Sequence, residues 1–295
     1  MAGALDGDFD GSFPFQARYL RAGDVRIHYV DEGPRDAPPL LMLHGNGTWS
    51  YMYRRPIAHL SGRGWRCVAF DHMGFGRSDK PPYLSRYRLR AHIENALHLI
   101  DELDLRDFVL VVHDWGGPIG LGAALERRER IRGVVALNTW AWELPSFLPP
   151  FLREFRAEGL GEILTLAGNL FVEAIPGGMA RREVDPRMMD AYRAPFPDYW
   201  SRVGLLGFQR DIPLTARDRS APVIAEIQRR LPELDLPFMF VWGMRDRVFQ
   251  PVFLDQWREL LPDARVVEVE DAAHFVVEDR PDAVSEAIDD FLSSL

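Results

Sequence analysis

Residues 111–120 read VVHDWGGPIG, and how that stretch is read decides the fold. An apolar run that begins at Phe108 ends at Val112, an ionisable carboxyl group follows at Asp114, and two glycines precede the helix-forming GLGAALERRERI. Strand, sharp turn and helix in that order have the layout of a nucleophile elbow, with Asp114 in the nucleophile position and Trp115 beside it. Small residues let the helix and its neighbouring strands approach closely, and the positive end of the helix favours an ionised carboxylate. Placed there, Asp114 can attack an electrophilic carbon; its competing role is a plain helix N-cap.

Around this stretch, short β-rich runs recur at Arg26 to Val30, Pro39 to Leu43, Arg66 to Phe70, Gly133 to Leu137, Phe238 to Trp242 and Arg265 to Val269. Several are apolar throughout, as strands covered on both faces must be. Helical segments alternate with them: Arg86 to Leu103 carries Leu89, Ile93, Leu97 and Ile100 at three- and four-residue spacing, and Pro281 to Leu295 closes the chain. The alternation predicts an α/β class with a mostly parallel sheet flanked by helices. From Trp140 to Arg219 the rhythm becomes helix-leaning and proline-punctuated (PSFLPPF, EAIPGGM, RAPFPDYW). The expected organisation is a core in two parts, residues 1–139 and 220–295, with residues 140–219 inserted as a helical cap over the C-terminal sheet edge.

The 295 residues carry a formal charge of −9, with 47% hydrophobic and 27% charged residues. That is a globular balance, and the acidic surface repels nucleic acid and anionic membranes as partners. Cys67 is the sole cysteine and cannot form an internal disulfide; it lies in an apolar strand as a reduced core residue. No apolar run approaches a membrane span, and the start MAGALDGDFDGSF is acidic, so a cytoplasmic location is expected. Gly74-Phe75-Gly76 lacks a phosphate-loop context, and His92 and His98 lack metal-ligand spacing, so neither a nucleotide nor a metal site is expected. Asp71 is expected to pin the loop after its strand.

An ester on Asp114 needs a second residue to activate water. His274, in DAAHF after the Arg265 to Val269 strand, stands where a hydrolase base belongs; Asp246, in WGMRD after the preceding strand, would hold its tautomer. The order Asp114, Asp246, His274 is the nucleophile–acid–base order of α/β-hydrolases. Singly, His274 reads equally as a loop histidine bonded to backbone, and Asp246 as a turn residue satisfied by a neighbouring arginine. LLMLHGNG (residues 40–47) is a strand running into a His-Gly turn, which predicts an oxyanion hole from the backbone N–H groups of Asn46 and Trp115. The Asn46 amide and the Trp115 indole N–H are two uncharged donors suited to a departing halide.

Together HGNG, DHMGFGRSDKP, HDWGG, YRAPFP, WGMRD and AAHF resemble the haloalkane dehalogenase family, from about residue 20 to the end of the chain. The resemblance implies an α/β-hydrolase fold with a helical cap, Asp114 as nucleophile, His274 as base, Asp246 as acid and Asn46 with Trp115 as halide pair. It implies no cofactor and no metal, with a halogenated organic substrate, water and a halide product. Some members carry the acid as a glutamate after the sixth strand; here that position holds Asn138, which favours Asp246. Members usually have proline after the HGN asparagine, where this chain has Gly47. Epoxide hydrolases share HDWGG and the triad, and use cap tyrosines for which Tyr192 and Tyr199 are the candidates. A catalytically weak binding relative is the third reading. Phe147, Leu148, Phe171, Val172 and Ile175 are candidates either for a substrate tunnel or for the cap's own core.

Overall fold

The computed structural model of the chain describes residues 5, 7–144, 150–180 and 183–295. Eight strands form one sheet: β1 (Arg18–Ala22), β2 (Val25–Glu32), β3 (Pro39–Leu43), β4 (Arg66–Phe70), β5 (Phe108–Asp114), β6 (Ile131–Thr139), β7 (Phe238–Gly243) and β8 (Arg265–Val269). Their spatial order is β1-β2-β4-β3-β5-β6-β7-β8. β1 and β2 pair antiparallel at one edge and every pair from β3/β4 onward is parallel. All residues of β3, β5 and β7 are buried, which is why those strands read as unbroken apolar runs. β1 was not expected from sequence: its RYLRA alternates between partly buried and exposed positions at the sheet edge.

Helices α1 (Arg54–Ser61), α2 (Leu89–Glu102) and α3 (Gly116–Glu126) connect the central strands. α2 starts three residues later than its apolar spacing suggested, a short 3-10 turn at Leu84–Arg86 taking the intervening chain. Between β6 and β7 the described residues form no strand: α4 (Pro150–Arg156), a π-helical turn (Glu162–Ala167), α5 (Leu170–Glu173), α6 (Pro186–Arg193), α7 (Val203–Asp211) and α8 (Ala221–Arg230) follow one another. α9 (Pro251–Leu260), α10 (Val276–Asp279) and α11 (Pro281–Ser294) complete the chain. Among the described residues no helix is long and apolar enough to cross a membrane. The loops after β3 and β5 leave the sheet side by side, because Leu43 is in register with Val112. From β3 the chain builds outward to β4 on one side and to β5 on the other, so this is a topological switch point, where ligands of open α/β sheets bind.

Four histidines lie in the interior beneath that point. Burial pushes His44 down to about 4 and His92 down to about 3, and drives His72 and His113 well below the ordinary imidazole value. His92 packs edge-on to Phe208, and neither of its ring nitrogens has a hydrogen-bond partner. The folded chain holds these rings neutral whereas the unfolded chain protonates them below about pH 6.5, so stability falls as pH drops through that value. Each such histidine contributes a slope of up to about 1.4 kcal/mol per pH unit. Thermal melts between pH 7.5 and 5 should therefore show a steep acid loss, and His92→Phe should lower the slope by about one proton. An unchanged slope in that variant would contradict the argument.

Candidate active site

Asp114 occupies a left-handed turn, φ 51°, between β5 and α3. For a residue with a side chain this is an uncommon conformation, and two close approaches hold it. A Cβ on Gly45 would lie 2.3 Å from Asp114 Oδ1, and one on Gly116 would lie 2.2 Å from the Leu43 carbonyl oxygen. The glycines thus let the β3 loop and the start of α3 close around the carboxylate. The N-cap position of α3 falls on Trp115, one residue beyond Asp114. Asp114 Oδ1 accepts the backbone N–H of Asn46 at 2.8 Å, and the backbone N–H of Trp115 also bonds the carboxylate. The other oxygen, Oδ2, faces His274 Nε2 at 3.8 Å.

His274 Nδ1 lies 2.9 Å from Asp246 Oδ2. Asp246 is itself held: its Oδ2 accepts from Asn138 Nδ2 at 2.9 Å and its Oδ1 from the Val248 N–H at 2.6 Å. Asn138 also spans β6 and β7, donating to the Gly243 carbonyl at 3.2 Å and accepting the Gly243 N–H at 2.8 Å. From sequence Asn138 reads only as a replaced glutamate; here it holds the Asp246 carboxylate. Nor did sequence reasoning single out His113, whose Nε2 bonds the His274 carbonyl oxygen at 2.9 Å. Its one signal was adjacency to Asp114, while the contact spans 161 residues.

The electrostatics differ in one respect from the sequence reading. Burial is the largest influence on Asp114 and raises its carboxyl above the ordinary value, against the lowering effects of His274 and the Asn46 and Trp115 amides. The helix N-terminus therefore moderates a desolvated carboxylate and does not dominate it. For His274, burial disfavours the charged ring, but the neighbouring Asp246 and then Asp114 outweigh it and raise the imidazole above its ordinary value.

A cavity of about 840 Å³ opens on these groups. Asn46, Asp114, Trp115 and His274 line it, together with apolar side chains such as Trp140, Leu152, Phe155, Phe171 and Phe249. Of the cap candidates, Phe171 and Ile175 face this space, Val172 is buried but does not line it, and Phe147 and Leu148 lie outside the described residues. Asn46 spends one amide N–H on the Leu205 carbonyl at 3.3 Å, leaving the second free. Gly47 adopts φ +79°, which proline cannot reach, and the Phe171 ring sits 3.2 Å from where a Cβ would be. Tyr192 donates to Glu278 at 2.6 Å and Tyr199 is exposed; neither lines the cavity. Asp71 accepts the N–H groups of Ser50 and Arg77, which pins its loop. Cys67 is buried, its thiol pushed up to about 12. No cluster of three or more potential metal ligands occurs among the described residues.

A carboxylate on a strand-to-helix elbow, faced by a histidine–aspartate pair at the C-terminal edge of this sheet, defines the α/β-hydrolase class. The α/β-hydrolase fold model matches residues 38–281, and the relatives narrow the assignment: the chain belongs to the haloalkane dehalogenase family within that fold. It is 36% identical over 280 residues to haloalkane dehalogenase 2 of Mycobacterium tuberculosis, covering 94% of each chain. It is 37% identical over 290 residues to a cis-3-alkyl-4-alkyloxetan-2-one decarboxylase of Shewanella oneidensis, covering 96% of this chain and 90% of that one. Among solved structures, the tetrameric haloalkane dehalogenase of Paraglaciecola agarilytica superposes with a TM-score of 0.81 at 31% identity, over 94% of this chain and 92% of that one.

The raised His274 fixes the direction of the pH dependence. In the resting chain the imidazole should titrate above its ordinary value, and because a general base works as the neutral ring, a step that needs it should rise with pH and then flatten. Asn138→Ala, by freeing Asp246, should lower that inflection and reduce turnover by about tenfold. A steady-state pH–rate series on both proteins checks the two shifts together.

Proposed function

We propose that the protein hydrolyses carbon–halogen bonds of haloalkanes through an alkyl ester on Asp114. The observation that carries this reading is the division of labour between the two carboxylate oxygens. Oδ1 is engaged by the Asn46 amide while Oδ2 is directed toward His274. Oδ2 forms the new bond to carbon by in-line displacement, the carbon–halogen bond breaks, and the halide leaves with the electron pair. The free Asn46 amide N–H and the Trp115 indole N–H meet it as preorganised donors in a water-poor pocket. The ester carbonyl oxygen then remains at the Oδ1 position, already bonded to the Asn46 amide, with the Trp115 amide beside the same carboxyl group. His274, oriented by Asp246, takes a proton from water; the hydroxide attacks the ester carbonyl, alcohol departs, and the carboxylate re-forms carrying one solvent oxygen. In this cycle the chain uses no cofactor or metal, and its partners are a halogenated organic molecule, water and halide, in the cytoplasm. The helical segment between Trp140 and Arg219 acts as the cap that encloses the substrate.

The epoxide hydrolase alternative requires cap tyrosines over Asp114, and the two candidates do not line the cavity. A second reading has support from a relative: the oxetanone decarboxylase is as similar to this chain as the dehalogenase is. On that reading Asp114 opens the four-membered lactone at the ring carbon bearing oxygen, forming an ester and freeing a carboxylate. Loss of carbon dioxide then forms the alkene as the Asp114–carbon bond breaks, and no water is consumed. The apolar cavity suits long chains on either reading.

Halide release should therefore be measured on 1-bromoalkanes of increasing length, with a cis-dialkyl β-lactone and styrene oxide assayed in parallel. We expect bromide release whose kcat/KM rises with chain length. His274→Phe should retain alkylation and lose turnover, with the adduct visible on Asp114 by intact mass and peptide mapping. Asn46→Ala should slow bond cleavage more than hydrolysis of the preformed ester. Alkene and carbon dioxide from the lactone, without bromide from any alkane, would transfer the assignment to the second reading.

A further inference from the structure

We propose that Asp279 is a positioning residue that sets the place of His274 and ties it to the cap; the kinetic part of this inference rests on the dehalogenase reading. Asp279 lies five residues beyond His274, at the end of α10, and is buried. One of its carboxylate oxygens, Oδ2, accepts two backbone N–H groups at 2.9 Å: that of Ala273, directly before His274, and that of Ala180, in the segment that follows α5. The residue on the other side of His274 is tied to the same segment, since the Phe275 N–H reaches the Gly178 carbonyl at 3.4 Å. Gly178 makes the contact possible: a Cβ there would lie 2.7 Å from the Phe275 ring and 3.8 Å from the His274 Cβ.

The residues on either side of His274 are thus tied to the strap Pro176–Ala180, Phe275 directly and Ala273 through Asp279, and every residue of that strap also lines the cavity. A single anionic oxygen that accepts two amides makes charge-assisted bonds, stronger than neutral ones, and in a buried site their loss leaves the donors unpaired. Asp279 touches neither Asp114 nor the cavity: it acts through the backbone. Asp114, Asn46 and Trp115 are carried by the β3 and β5 loops and do not depend on it. Removing Asp279 should therefore disturb the base and spare the nucleophile.

The test compares Asp279→Ala, Asp279→Asn and Gly178→Ala with wild type. The substrate-independent readout is the titration of the His274 imidazole followed by NMR, assigned by its loss in His274→Phe. Asp279→Ala should lower the His274 pKa by about one unit, tenfold in protonation equilibrium, as the pairing with Asp246 loosens. Asp279→Asn, whose amide oxygen can still accept, should show a smaller shift. In single turnovers with a bromoalkane, the bromide burst should stay within about threefold of wild type while ester hydrolysis slows by about tenfold, so the Asp114 adduct accumulates. Gly178→Ala, at a position that lines the cavity, is read by the titration alone and should lower the His274 pKa as Asp279→Ala does; Asp279→Asn carries the kinetic test if Asp279→Ala does not fold. An unchanged His274 titration, or equal slowing of both steps, overturns the proposal. Absence of bromide from wild type overturns the dehalogenase reading alone, and the titration then decides the role of Asp279.

Discussion

One buried contact organises the site: the Asn46 backbone N–H donating to Asp114 Oδ1 at 2.8 Å. It joins the loops after β3 and β5, the two neighbouring strands from which the chain builds in opposite directions. A bare carboxylate in this interior would protonate, since burial raises its affinity for hydrogen ions. The Asn46 and Trp115 amides and His274 oppose that rise. Gly45 and Gly116 lack side chains for the same reason, because a Cβ on either would stand where the carboxylate or the β3 backbone already is. The twist at Asp114, φ 51°, is the local cost of aiming a strand residue out of the sheet, and the surrounding strands supply the rigidity that sustains it.

The raised His274 has a further consequence for the proposed cycle. Part of the elevation comes from the Asp114 charge, 3.8 Å away between Nε2 and Oδ2. Alkylation of Asp114 removes that charge. The imidazole of the ester form therefore holds its proton less tightly than that of the resting enzyme, and the neutral base becomes available when water must be activated. Asp246 is held in place to orient the ring by its own bonds to Asn138 and Val248, neither of which involves Asp114. The two carboxylates consequently separate their tasks: one changes its charge during turnover, the other stays fixed.

Much of this architecture was legible in the residues. Seven of the eight strands are legible as β-rich runs, the central ones because strands buried on both faces must be apolar, and the elbow because glycine pairs after a polar residue have few structural uses. β1 is not: as an antiparallel edge with two arginines, it has no such composition. At the site, the three strand-end residues Asp114, Asp246 and His274 could be ordered from sequence because their places follow from the topology. Asn138, His113 and Asp279 could not, since their significance lies in bonds across 108, 161 and 99 residues, and the residue types alone do not identify the partner. The net shift at Asp114 is illegible for a related reason: a helix terminus can be read from sequence, but the extent of burial that opposes it requires the packed fold.

The base pair also bears on the choice between halide displacement and lactone opening. Both begin with the same attack by Asp114, and the similarity to relatives of the two kinds is nearly equal. They differ afterwards, because decarboxylation returns the carboxylate by elimination and needs no activated water. A histidine held at 2.9 Å from Asp246, with that aspartate secured by two further donors, is machinery for removing a proton. Loss of carbon dioxide from a free carboxylate removes no proton, so elimination alone gives such a base no proton to take. The second step, more than the first, is therefore what the geometry around Asp114 is built to perform.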